Sequence, residues 1–275
     1  MIEAGNMKIS FIGGGNMARA IIGGLKQKGF NTADINVIEL DAEKRTQLEQ
    51  EFQVQTSEHL PSVNQSDVIV LAVKPQQLRD LSIFLASFLQ QQLIISIAAG
   101  IGCEALSRWL GGYNAIVRVM PNTPAQIQAG VSGMYAAAGV SMEQREQADL
   151  LLAAAGSTLW VDDESKIDAV TAISGSGPAY VFYFIEALEQ AALELGLTAD
   201  QARSLSLQTF AGASQLATQS NVAPATLRAQ VTSKGGTTER ALLNMENAGV
   251  KQAIIGAAHA AAERAHELGE LLGKD

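Results

Sequence analysis

Cysteine and histidine are scarce: Cys103 is the one thiol in 275 residues, and His59, His259 and His266 are the three imidazoles. One thiol cannot close an intramolecular disulfide, and histidines so scattered offer no metal-ligand spacing. A reducing cytoplasm suits such a chain, and no metal is expected. Basic clusters are missing too. No run of Lys and Arg exceeds a pair and the net charge is -9, which weighs against nucleic acid as a partner, because a phosphate backbone draws clustered cations. No apolar stretch reaches the roughly 18 to 20 residues of a membrane span, and no basic segment leading into an apolar core and a cleavage site opens the chain. What remains is 47% hydrophobic and 17% charged residues, the balance of a globular protein, at a length that favours about two domains.

The first part alternates short apolar runs with longer amphipathic segments, the pattern of parallel strands joined by crossover helices. Strands are expected at Lys8–Ile12, Asn36–Leu40, Val68–Val73, Leu93–Ile97, Ala115–Met120 and Ser132–Ala136. The runs "SDVIVLAVKP" and "QLIISIAAG" are apolar on consecutive positions, as strands covered on both faces are. After "STLWVDDES" the pattern changes to long Ala- and Leu-rich helical segments, Pro178–Leu195, Ala199–Thr218 and Thr238–Leu272, the last with a break near Gly249. The expected division is therefore a doubly wound α/β domain over residues 1–161 and an all-helical domain over 162–275. So thin and alanine-rich a helical half has a poor core alone, and pairing with a second copy would complete it.

Three glycines interrupt the first apolar run in "SFIGGGNMARAIIGGL". Gly13, Gly15 and Ala18 form G-x-G-x-x-A between a strand and a helix: Gly13 for the tight turn, Gly15 for close approach of a pyrophosphate, Ala18 for packing of helix on strand. With Gly14, Asn16 and Met17 they make a dinucleotide-binding turn whose helix N-terminus faces the phosphates. Glu39, near the end of the second strand, stands where an acid accepts hydrogen bonds from a ribose and repels a 2′-phosphate. Lys44 and Arg45 follow closely and offer charge to that same phosphate, so both nicotinamide dinucleotides stay open. Two further strand ends lie where ligands bind in this architecture: Ala72, Val73, Lys74 and Pro75, and the small residues of Ile97, Ala98 and Ala99.

In the second half, "SGSGPAY" and "TSKGGTTERAL" are hydroxyl- and glycine-rich and open onto helices. Each reads as an anion nest or as an ordinary helix cap. Ser176, Gly177 and Pro178 belong to the first; Ser233, Gly235, Gly236, Thr237 and Thr238 to the second. Asn122, between two prolines in "MPNTPAQIQAG" at another strand end, sits on a rigid turn expected to border the same cleft, and with Ser176, Gly177 and Pro178 it is a candidate substrate contact.

The motifs "FIGGGNMA", "AVKP", "RVMPNTP", "DAVTAISGSGPAY" and "SKGGTTERAL", in this order and over nearly the whole chain, resemble those of pyrroline-5-carboxylate reductase. The resemblance implies reduction of L-1-pyrroline-5-carboxylate to L-proline with NADPH or NADH, the last step of proline synthesis. It also implies a Rossmann-type N-terminal domain, a helical C-terminal domain intertwined in a homodimer, and often a decamer of five dimers. On this chain the cofactor would lie on Gly13 to Ala18, Ala72 to Pro75 and Ile97 to Ala99. The substrate carboxylate would rest on Ser233 and the N–H groups around Gly235 to Thr238, with the Thr238 hydroxyl aimed at the ring nitrogen. Many relatives read Ser-Pro-Gly-Gly where this chain has Ser233-Lys234-Gly235-Gly236.

Two rivals remain. A hydroxyacid dehydrogenase needs a Lys or His as acid–base, and Lys166, Lys234 and Lys251 sit in no convincing motif; a non-catalytic nucleotide sensor has no use for the two nest-like loops.

Overall fold

The computed structural model describes residues 7–274. Among them eight strands, β1 (Ile9–Ile12), β2 (Ile35–Ile38), β3 (Gln55–Ser57), β4 (Val68–Leu71), β5 (Leu93–Ser96), β6 (Ile116–Met120), β7 (Gly130–Ala136) and β8 (Gly156–Trp160), form one sheet in the order β3-β2-β1-β4-β5-β6-β7-β8. Only β6 and β7 pair antiparallel; every other neighbour is parallel. The connecting helices are α1 (Asn16–Gln27), α2 (Ala42–Phe52), α3 (Pro75–Leu85), α4 (Cys103–Trp109), α5 (Met142–Ala153) and α6 (Lys166–Val170). The fold class is the α/β doubly wound sheet expected of the N-terminal half.

Alternation along the strands fills two cores. Ile9, Phe11, Val68, Val70, Leu93 and Ile95 face one cluster, while Ile12, Ile69, Leu71 and Ile94 face the other. Because both faces are covered, β4 and β5 are buried at every position, which is why they read as unbroken apolar runs. Strands β3 and β8 were not expected from the sequence. Both are edge strands of mixed burial and polar composition, so neither carries the apolar run that marks a central strand.

The chain forms two compact units, one running to Ser176 and including the segment from Ala261 onward, the other Gly177–Ala260. Helices α7 (Gly177–Glu194), α8 (Ala199–Gln219), α9 (Pro224–Gln230), α10 (Thr237–Asn247) and α11 (Val250–Leu272) follow the sheet. The break expected near Gly249 is present, with Gly249 at φ +68° between α10 and α11; α9 is an addition. In the helical unit Ala202 and Ser206 alone are buried, while Phe182 and Tyr183 are 64% and 71% exposed. A unit that leaves its aromatic residues in water has not finished burying its apolar surface, as the sequence expectation of pairing with a second copy requires. No helix among the described residues is long and apolar enough to cross a membrane.

Cys103 opens α4 and is buried. Burial first, then the neighbouring Glu164 carboxylate, pushes its thiol up to about 12. The thiolate is the reactive form, and an ordinary thiol titrates near ~8.5. Native protein at pH 8 is therefore expected to leave Cys103 unlabelled by a chromogenic thiol-exchange reagent, and denatured protein to release one equivalent of chromophore.

Candidate functional site

The sheet reverses its winding between β1 and β4, and in such a sheet a crevice opens outside the carboxyl ends at the reversal. Gly13 ends β1 there. Its N–H donates to the Ile38 carbonyl (2.8 Å) and the Ala72 N–H to the Ile12 carbonyl (2.9 Å), which knits the ends of β2, β1 and β4. Gly13 has φ +100°, and a Cβ on it would lie 2.7 Å from the Ala72 oxygen. The glycine is required by the fold itself.

Gly15 is different. It caps α1 with φ -73° and no side-chain hydrogen bond, and a Cβ placed on it would meet nothing within 4 Å. Neither strain nor crowding calls for glycine here, so the bare Cα is explained by something outside the chain that needs to come close. The first intrahelical bond is from the Arg19 N–H to the Gly15 carbonyl (3.0 Å), which leaves the N–H groups of Asn16, Met17 and Ala18 ahead of it at the positive end of the helix dipole. Ala18 is fully buried against the sheet. These residues fit the pyrophosphate of a dinucleotide.

A cleft of about 740 Å³ opens on this turn, lined by Gly13, Gly14, Gly15, Glu39, Ala72, Val73 and Lys74. Glu39 bridges its two loops: one carboxylate oxygen accepts the Gly14 N–H (3.1 Å), the other the Asp41 N–H (3.1 Å). Its negative charge is thus fixed at the cleft wall. Arg45, a candidate for phosphate, is turned to other work, donating to the Glu39 and Leu40 carbonyls at 2.8 and 3.0 Å. Lys44 remains on the cleft. Pro75 starts α3 as its first residue, where its missing N–H costs nothing. Ile97 continues from β5, its N–H donating to the Leu71 carbonyl (3.2 Å), with Ala98 buried and Ala99 exposed beyond it.

At the end of β6, Asn122 is nearly buried, and both ends of its amide are engaged: Nδ2 donates to the Ser174 carbonyl (3.2 Å) and Oδ1 accepts the Val131 N–H (2.9 Å). It acts as a tie between strand edge and helix. The stretch before Ser176 is not the open loop expected from its composition. α6 runs into a π-helical turn at Thr171–Gly175 and then into α7. The Thr171 and Ser174 hydroxyls donate back to the Ile167 (2.8 Å) and Val170 (2.9 Å) carbonyls, so they serve the helix instead of a nest. Ser176, Gly177 and Pro178 sit where the turn ends, Ser176 by donating its N–H to the Thr171 carbonyl (2.8 Å).

The segment Ser233–Thr238 belongs to the helical unit. Gly236 caps α10 without a side chain, and Gly235 has φ +77°. The Gly235 N–H donates to the Glu239 carboxylate (2.7 Å) and the Gly236 N–H to the Ser233 carbonyl (3.0 Å). Of the expected donors, the N–H groups of Thr237 and Thr238 in the first turn have no intrahelical partner. Glu239 was missed by the sequence reading. Its place three residues after the cap Gly236 is the capping-box position, and that spacing was the available signal. Arg118, Glu164 and Asp168 were missed as well. A charge inside "IVRVM" announces a buried ion needing a partner, but partners 46 and 50 positions away are a matter of tertiary folding.

Comparison with known proteins places these features in context. Residues 164–268 match the family described as pyrroline-5-carboxylate reductase dimerisation, and residues 8–100 that described as NADP oxidoreductase, coenzyme F420-dependent. The pyrroline-5-carboxylate reductase of Pseudomonas aeruginosa is 48% identical over 97% of this chain and 98% of its own. Among solved structures, a pyrroline-5-carboxylate reductase from Coxiella burnetii superposes with a TM-score of 0.91 at 39% identity, covering 95% of this chain and 98% of that one. The Plasmodium falciparum pyrroline carboxylate reductase with NADP bound gives 0.86 at 27% identity over 96% and 98%.

Since Gly15 has room for a side chain, Gly15→Val should fold, at a cost of about 1 kcal/mol for a poorer cap. It should nonetheless lose about 100-fold or more in dinucleotide affinity, because the isopropyl group fills the phosphate position. Thermal melting and fluorescence titration with NADPH check the two halves separately.

Proposed function

The chain belongs to the pyrroline-5-carboxylate reductase family, and on that premise we propose how its residues divide the work of the reaction. The enzyme reduces L-1-pyrroline-5-carboxylate to L-proline, the last step of proline synthesis, and works as a homodimer with a reduced nicotinamide dinucleotide. The observation that carries the assignment of its cofactor residues is the bare, unstrained Gly15 at an uncapped helix start.

In this reading the backbone of Gly13 to Ala18 holds the pyrophosphate, Glu39 and Lys44 meet the adenosine ribose, and Ala72 to Pro75 with Ile97 to Ala99 border the nicotinamide. The bound dinucleotide supplies the hydride that adds to the imine carbon. Everything else is orientation and proton placement. Ser233 and the first-turn N–H groups of Thr237 and Thr238 grip the substrate carboxylate, with Gly235 and Gly236 letting the chain turn tightly around it. Glu239 occupies the Gly235 N–H and adds a negative charge beside that grip, so binding of the carboxylate is favoured when this side chain swings aside. Asn122, Ser176, Gly177 and Pro178 complete the set of residues proposed to contact the substrate.

The ring nitrogen needs one proton to end as an amine. A protonated imine brings its own; a neutral one takes it from a donor within about 2.6–3.2 Å. Thr238, through its hydroxyl or a water it holds, is the catalytic residue proposed for that donor. This assignment agrees with motifs crowded with hydroxyls and glycines, in which the acid beside the grip, Glu239, is engaged by the Gly235 N–H. The proposed functional division at residues 161 and 162 assigns cofactor binding to the first part and substrate grip and dimer formation to the second, while the compact units divide after Ser176 and after Ala260. A decamer of five dimers and a cytoplasmic location complete the proposal, the latter supported by a lone cysteine.

Thr238→Ala should lower kcat by about 10- to 100-fold, the low end of acid–base effects, with an unchanged melting temperature; dinucleotide oxidation on added pyrroline carboxylate measures it. Glu39→Gln should raise the NADPH to NADH ratio of kcat/KM by about tenfold, the scale of one screened charge contact. Steady-state runs with the two cofactors side by side give that ratio.

A further inference from the structure

The loop after β5, Ile97 to Gly102, is held from behind by a cluster of residues that the reaction does not use. Arg118 on β6 is 9% exposed, in the middle of an apolar strand. Its Nη1 donates to Glu164 Oε1 (3.1 Å) and its Nη2 faces Asp168 Oδ1 at 3.6 Å. The same Glu164 oxygen accepts the Cys103 N–H (2.7 Å). Since the N-cap of α4 is Gly102, which has no side chain to offer, Glu164 does the capping from another part of the chain. One carboxylate thus ties the end of the loop to a buried guanidinium.

The last turns of α11 close the other side. His266 stands between Asp168 and Glu270, with Nδ1 at 3.5 Å from one and Nε2 at 3.7 Å from the other. Arg108 on α4 donates to the Gly273 carbonyl (2.9 Å). Between these contacts two glycines let backbone meet backbone. A Cβ on Gly269 would lie 3.1 Å from the Gly100 oxygen, and one on Gly100, at φ +80°, would reach the Gly269 nitrogen at 3.6 Å. The loop is therefore backed by helix backbone at Gly269, by the Leu272 side chain and by the Glu164 carboxylate.

We propose that Glu164 and Gly269 are positioning residues for the reduction, acting through the Ile97–Gly102 loop to fix how far Ile97, Ala98 and Ala99 stand forward at the cofactor cleft. The proposal rests on the reading above that Ile97 to Ala99 border the nicotinamide. Hydride transfer depends steeply on placement, with about 100-fold lost for a misplacement near 1 Å. A cluster that moves the loop by a few tenths of an ångström is felt in turnover before it is felt in stability.

Four variants of the full-length dimeric enzyme test it, each measured for kcat, for KM of NADPH and of pyrroline carboxylate, and for melting temperature. Gly269→Ala pushes the Gly100 carbonyl while favouring the helix; the expected result is about 3- to 10-fold lower kcat/KM for NADPH with a melting temperature equal to or above that of the parent. Glu164→Ala should lose about 10-fold, and Glu164→Gln, which keeps an acceptor for the Cys103 N–H, should recover most of it. Parent kinetics in Gly269→Ala overturn the proposal, and that variant decides should Glu164→Ala fail to fold. Equal losses in both Glu164 variants, in step with melting temperature, also overturn it, since they mark a role in stability alone. Ala99→Leu probes the underlying reading directly. Parent kinetics in that variant sink the placement of the loop at the cofactor, whereas a loss there with none in Gly269→Ala and Glu164→Ala sinks the positioning role alone.

Discussion

The contact between Gly13 and Ala72 is the constraint from which the rest of the cofactor cleft follows. At 2.7 Å from a would-be Cβ to the Ala72 oxygen, the β1 turn and the end of β4 are too close for any side chain between them. That closeness lets α1 begin directly above the sheet's reversal point, with its unpaired N–H groups facing the crevice. Gly15, two positions later, inherits the geometry and adds the missing side chain. Glu39 then bridges the two loops by accepting from Gly14 and Asp41, so the carboxylate proposed to meet the ribose also sets the loop spacing.

The division of labour between backbone and side chain is unusually one-sided. In the proposed reading cofactor and substrate are met largely by amide groups at two helix starts, α1 and α10, each capped by a glycine without a side-chain bond. Charged side chains do their work in the frame: Arg45 holds carbonyls of the β2–α2 loop, and Arg118 gathers Glu164 and Asp168 below β6. An imine accepts hydride readily once protonated, and a site for it needs placement more than it needs an acid of shifted pKa.

Much of this was legible in the sequence where local physics decides. Consecutive apolar residues marked β4 and β5 because both their faces are covered, and the G-x-G-x-x-A spacing marked the turn because each glycine and the alanine has its own steric reason. The break at Gly249 showed itself as a glycine directly after "NMENA", and it is the glycine of that run with a left-handed φ, whereas Gly256 and Gly269 stay inside α11. What escaped depended on contacts between distant parts of the chain. Strands β3 and β8 owe their existence to neighbours in the sheet, with little pattern of their own. The stretch before Ser176 has the composition of a loop, yet the Thr171 and Ser174 hydroxyls bond back one turn and keep it helical. Asn122, expected beside the substrate, also has both ends of its amide held, by the Ser174 carbonyl and the Val131 N–H. No local rule ties Arg118 to carboxylates so far along the chain.

The helical unit, with Ala202 and Ser206 as its whole buried complement in one chain, makes association part of folding. A molecule built this way has no comfortable solitary form: at great dilution, separation of the two copies and melting of the helices become a single event, governed by protomer concentration. Newly made chains face the same law. Abundance in the cell therefore sets how long each new chain stays half finished.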